Sequence, residues 1–127
     1  VVNYFLVMRS SLEPQACALA AINGSGEQKA ALASTMEEMK ALRVKYDREK
    51  WVDVDTTYHE QIYIMSGNPF LSSFANLFRS IYYNYFSSIA NNEVIKLDSH
   101  QAIVDAIITN NSQLAYTACQ ALLAEDK

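Results

Sequence analysis

Trp51-Val52-Asp53-Val54-Asp55-Thr56-Thr57-Tyr58-His59-Glu60-Gln61-Ile62-Tyr63-Ile64-Met65, followed at once by Ser66-Gly67-Asn68-Pro69, is the stretch that decides the fold. Trp51, Val54, Tyr58, Ile62 and Met65 recur at three- and four-residue steps, which lines one face of a helix. The four residues that follow punctuate it. Gly67 suits the left-handed position after a helix, Asn68 can cap the next one, and Pro69 is preorganised for a first turn. Asp55 and His59, four apart at the edge of the apolar stripe, project from the same side of one turn. Such a pair is either the start of a metal site or an incidental neighbour pair on a partly exposed helix, and two residues alone do not decide.

Working outward, apolar residues from Asn3 to about Ile22 keep helical spacing, with Pro14 in conflict because a mid-helix proline loses a hydrogen bond. A kink or two abutting helices is expected there. Ser25-Gly26-Glu27-Gln28 reads as a capping box. It opens a helix to about Tyr46 whose Ala31/Leu32, Thr35/Met36, Met39 and Leu42/Val44 face inward. The segment from Phe70 to about Ile89 is apolar nearly all round, so it should be central or shared with a partner chain, and Arg79 is its lone cation. Ala90-Asn91-Asn92 breaks that pattern. After Asp98 a fifth helix carries His100 in line with Ile103, Val104 and Ile107, which turns His100 inward. Asn110-Asn111 ends it and caps a sixth helix with Leu114/Ala115, Ala118 and Leu122 as its stripe and Cys119 beside it. The expected fold is all-α: an antiparallel helical bundle of about six to seven helices, no sheet, in one domain spanning 1–127.

Composition agrees. Half of the 127 residues are apolar and only three are Gly and two Pro, too few for the many tight turns of an all-β fold. The net charge is -4 with scattered Lys and Arg, so no basic face for nucleic acid is expected. No apolar run is long enough to span a bilayer and no leader opens the chain, which points to a cytoplasmic protein without membrane contact. Cys17 and Cys119 have neither zinc-ribbon nor redox spacing and are expected as buried free thiols. The chain starts Val1-Val2 inside what reads as helix, so its natural start is expected upstream.

Three stretches together resemble one family. Met8-Arg9-Ser10-Ser11-Leu12-Glu13-Pro14 with Ala20-Ala21 resembles its opening helix. Asp55-x-x-Tyr58-His59 followed by Ser66-Gly67-Asn68-Pro69 resembles its Asp-x-x-Phe-His and Ser-Gly-Asn pattern, and His100-Gln101-Ala102-Ile103-Val104-Asp105-Ala106-Ile107 its His-containing fifth helix. In order and spacing they are similar to the FCD domain, the ligand-sensing C-terminal domain of GntR-type transcription regulators of the FadR subfamily.

The resemblance implies a homodimeric effector-sensing domain, with DNA bound only through a winged helix-turn-helix domain upstream, and a small carboxylate effector held on or near a divalent metal. It places metal ligands at Asp55, His59 and His100, a set suiting Zn, Ni, Fe or Mn. The family's fourth ligand, a histidine, falls on Leu122, a departure that weakens the site. Cys119, one turn earlier, is either a substitute thiolate or a packed core thiol. Arg9 is an effector clamp, a contact to the DNA-binding domain, a surface ion pair or a fork onto Glu13. Arg79, a cation needing a partner, is the better effector candidate. Tyr58 and Asn68 join the effector-binding set, and Tyr58, Tyr63, Tyr82 and Tyr85 either line the pocket or pack the core.

Two His and one carboxylate are also the set of non-haem iron oxygenases. No further Glu, His or nucleophile stands at a spacing that suggests a general base, so a binding module is expected rather than an enzyme. A metal-free structural dimerisation domain, closed by Leu122, is the remaining alternative.

Overall fold

The end signals are where the helices begin and stop. The computed structural model describes residues 2–89 and 96–124, except the side chains of 2, 3, 82, 83 and 85–89. The break expected at Ala90-Asn91-Asn92, and the roles expected for Tyr82 and Tyr85, lie outside what is described. Among the described residues there are six helices: α1 Val2–Asn23, α2 Gly26–Val44, α3 Arg48–Met65, α4 Pro69–Ile89, α5 Leu97–Ile108 and α6 Ser112–Ala124. No strand occurs among the described residues.

Ser25 caps α2 in the expected box, its Oγ accepting from the Gln28 N–H at 3.0 Å while the Gln28 side chain accepts from the Ser25 N–H at 2.9 Å. Asn68 caps α4 by accepting from the N–H groups of Phe70 and Leu71. Gly67 takes φ +70, and a Cβ there would meet the Asn23 side chain at 3.2 Å. That crowding exists because Asn23 Nδ2 donates to the Ser66 carbonyl at 2.7 Å, tying the end of α1 to the end of α3. Asn111 caps α6 through the Leu114 N–H.

Several expectations need correction. Of the two outcomes expected at Pro14, two abutting helices do not occur: α1 is one continuous helix, since the ring costs one hydrogen bond and the helix on either side is long enough to carry on. α3 starts at Arg48, before the stripe, because Asp47 accepts from the Lys50 N–H and supplies the cap. Val44 is 91% exposed, being the last residue of α2 rather than part of its inner face. In α6 the buried face centres on Ala115, Cys119, Leu122 and Leu123, with Leu114 half exposed. Of the two places expected for α4, a fully central one does not hold among its described side chains: Leu71, Ala75 and Phe78 are buried, whereas Phe70 is 86% exposed and Leu77 half exposed.

α3 packs between α2 and α4, and α1 lies against α3, α5 and α6. Trp51, Tyr58, Ile62 and Tyr63 of α3 meet Leu32, Met36 and Met39 of α2, Phe78 of α4, and Ile103 and Ile107 of α5 in one core. Burying each large side chain contributes roughly 1.5–3 kcal/mol. The polar residues Arg9, Glu13, Asp55, His59 and His100 are buried in the same interior. Among the described residues no helix is long and apolar enough to cross a membrane.

Candidate metal centre

Three helices each deliver part of the site. α3 contributes Asp55 and His59 from successive turns, α5 contributes His100 from its first turn, and α1 contributes Glu13 with Arg9 one turn before it. The sequence placed Asp55 and His59 at the edge of the stripe, yet both are fully inside, at 2% and 1% exposure. His100 faces inward as expected.

The two imidazoles converge on one carboxylate oxygen. Asp55 Oδ1 lies 3.3 Å from His59 Nε2 and 3.0 Å from His100 Nε2. The outward nitrogens have partners of their own: His59 Nδ1 is 2.7 Å from Glu13 Oε2, and His100 Nδ1 is 2.7 Å from the Lys96 carbonyl. Tyr58, between the two imidazoles, stacks edge-on against both at 5.0 and 4.9 Å and donates its hydroxyl to the His100 carbonyl at 2.7 Å. It therefore fixes the register of α5 on α3.

Glu13 is the hub that sequence reasoning missed. It is fully buried and accepts from Arg9 Nε at 3.0 Å, Arg9 Nη2 at 3.1 Å and Tyr63 Oη at 3.1 Å. The Arg9 guanidinium also lies over the Phe5 and Phe78 rings, 5.9 and 5.4 Å from their centroids. Only the four-residue spacing of Arg9 and Glu13 inside an apolar helix could have signalled it. No residue pattern joins Glu13 to His59 across two helices.

Burial alone would neutralise these groups, and their mutual charges prevent it. Desolvation pushes the Glu13 carboxyl up, but Arg9 and then His59 overcome it and hold the group far below the usual carboxylate range. Asp55 follows the same course: burial raises it, His59 and His100 outweigh that, and it stays ionised. For His59 burial acts to lower the pKa, while Glu13 and Asp55 raise it above its ordinary value. The result is a buried, charge-compensated cluster rather than isolated ions.

The residues present fit a first-row divalent ion. One donor atom from each of Asp55, His59 and His100 lies within 4.8 Å of the other two. Ligands at about 2.0–2.2 Å from a metal sit roughly 3.0–3.6 Å from one another, and the separations of 3.3 and 3.0 Å at Asp55 match. A carboxylate and a backbone carbonyl on the far nitrogens are the partners that orient metal-binding imidazoles and raise their basicity. Two nitrogens and one oxygen suit Zn, Ni, Fe or Mn.

The other expected residues fall elsewhere. Arg9 forms the Glu13 fork and is buried, so it is neither a surface ion pair nor a contact for another domain at the surface. Arg79 finds its partners within the chain: Glu60 Oε1 at 2.9 Å, Thr57 Oγ1 at 2.9 Å and Asp53 Oδ1 at 3.2 Å. Positions 53, 57 and 60 lie on the face of α3 opposite 55 and 59, so the structure does not bring Arg79 to the site. Asn68 is occupied as a helix cap. Leu122 is buried in α6. Cys17 and Cys119 are buried free thiols, and the hydrogen bond that the Cys119 thiol makes to Cys17, with burial, pushes the Cys119 thiol up, away from a thiolate ligand.

Over 123 residues the chain is 59% identical to the uncharacterized HTH-type transcriptional regulator YieP of Escherichia coli (strain K12), covering 97% of this chain and 54% of that protein. It shares its fold with the solved structure of Streptococcus agalactiae GntR at a TM-score of 0.86 and 20% identity, covering 98% of this chain and 57% of the other. The chain thus spans little more than half the length of either relative. Residues 5–125 match the FCD domain, and the chain belongs to that family.

Proposed function

We propose that this chain is the effector-sensing and dimerisation part of a GntR-type transcription regulator, holding a divalent metal on Asp55, His59 and His100 and binding a small organic acid there. A winged helix-turn-helix domain precedes it in the full-length protein and carries DNA binding. Membership of the FCD family and the name of the 59% identical relative support the regulator reading. The observation that carries the metal is the convergence of both imidazole Nε2 atoms on Asp55 Oδ1, with both Nδ1 atoms held from behind. Three protein ligands leave positions for an effector oxygen, and the site works as a binding module, not an enzyme, in a cytoplasmic homodimer. Effector binding shifts how the two DNA-binding domains sit by as much as its affinity differs between the two arrangements.

A second reading, a dimerisation domain without metal, draws on one observation, that the Arg9–Glu13–His59–Asp55 cluster is already charge-compensated, and on the resemblance, which puts the family's fourth ligand at Leu122. Elemental analysis of protein purified without chelator separates the two readings. Under the first, zinc or nickel at a hundred times its dissociation constant adds about 2.7 kcal/mol of stability, seen as a rise in melting temperature. His100→Ala abolishes that rise. Protein that holds no metal and melts at the same temperature with and without zinc or nickel leaves only the second reading.

A further inference from the structure

Trp51 is the chain's single tryptophan and stands on α3 one turn before Asp55, at 1% exposure. Its ring lies edge-on to His100, with centroids 6.2 Å apart and planes at 81°. Among the described residues its Nε1–H has no hydrogen-bond partner. A buried indole N–H nearly always has one, because an indole can only donate and its desolvation is otherwise uncompensated. In the neighbouring site Tyr58 Oη is committed to the His100 carbonyl, His100 Nδ1 to the Lys96 carbonyl, and Asp55 Oδ1 to the two imidazoles.

A group from outside the chain can supply that acceptor. A carboxylate that places one oxygen on a three-ligand metal keeps its second oxygen as an acceptor, whereas an amine that gives its one lone pair to the metal has none left for an N–H donor. We infer that the Trp51 indole N–H is a specificity-determining donor, bonding the second oxygen of a small carboxylate whose first oxygen occupies the centre formed by Asp55, His59 and His100. This rests on the metal reading above.

The test uses the 127-residue chain loaded with cobalt or zinc and titrated with acetate. Cobalt d–d bands report acetate entering the coordination sphere, and the single indole ¹H–¹⁵N resonance of the zinc form reports the N–H. The expected result is that acetate changes both, with the indole proton moving downfield. Trp51→Phe, which keeps an aromatic ring in the core, should retain cobalt uptake and bind acetate about tenfold more weakly. A d–d change with a stationary indole resonance overturns the inference, as it means that the N–H is served by trapped water. Equal acetate affinity in Trp51→Phe, or cobalt uptake with no response to acetate, overturns it too. Failure to take up cobalt is a different outcome: it removes the metal reading itself, and this inference with it.

Discussion

Helix α3 carries two charged networks on opposite faces, and they are built on opposite principles. On the inner face Asp55 and His59 meet Glu13, Arg9 and His100, all at 4% exposure or less. On the outer face Asp53, Thr57 and Glu60 gather around Arg79, whose side chain is 40% exposed. Removed from water, the inner charges depend on one another, and each loss leaves an uncompensated ion. Water screens the outer set and replaces any partner that is lost. The same residue types on one helix thus form a buried, charge-compensated cluster on one side and a surface clasp to α4 on the other.

The sharpest way to break this comparison is Arg9→Ala. It strips the guanidinium from Glu13 and its packing from the Phe5 and Phe78 rings, all in the interior. Removing one partner of a buried pair costs about 3–5 kcal/mol, to be read from urea denaturation with the slope checked for two-state behaviour. A loss below about 1 kcal/mol would mean that the cluster relaxes like a surface network. Tyr58→Phe comes next. It keeps the ring between His59 and His100 but deletes the hydroxyl on the His100 carbonyl, a loss of about 1 kcal/mol. Because that bond sets α5 against α3, a weaker melting-temperature response to zinc should accompany it; a response equal to that of the unaltered chain would make the bond a purely structural tie.

How much of this was legible depends on whether the information is local. Helix ends at Ser25, Gly67, Asn68 and Asn111 were readable, because capping is settled within four residues. The inward turn of His100 was readable from its phase with Ile103, Val104 and Ile107, and the pairing of Asp55 with His59 from their spacing. What joins α3 to α1 was not, since Glu13 reaches His59 only through the way two helices cross. Arg79 misled for the same reason. A cation in an apolar helix needs a partner, but whether that partner is a ligand or three residues of α3 is decided by the rotation of α4, which no single segment encodes. The break into two helices expected as one outcome at Pro14 did not occur, because its penalty is one local term against the packing of a 22-residue helix.

Arg79→Ala supplies the weakest perturbation and the clearest contrast with Arg9. The guanidinium bonds Glu60, Thr57 and Asp53, and the Glu60 bond in particular raises its pKa. Counted as contacts, the site rivals the Arg9 fork. Counted as free energy it does not, since solvent reaches two of the three carrying side chains and exposed pairs contribute about 0–1 kcal/mol. The substitution should therefore cost no more than about 1 kcal/mol. Added salt should reduce that cost, because charges near the surface are screened within about 10 Å at 0.1 M. Zinc-dependent stabilisation should be unchanged, as the residue faces away from Asp55 and His59. A salt-independent cost near that of Arg9→Ala would show that the outer network is as dry as the inner one, and a lost zinc response would show that the two faces of α3 are coupled through α4.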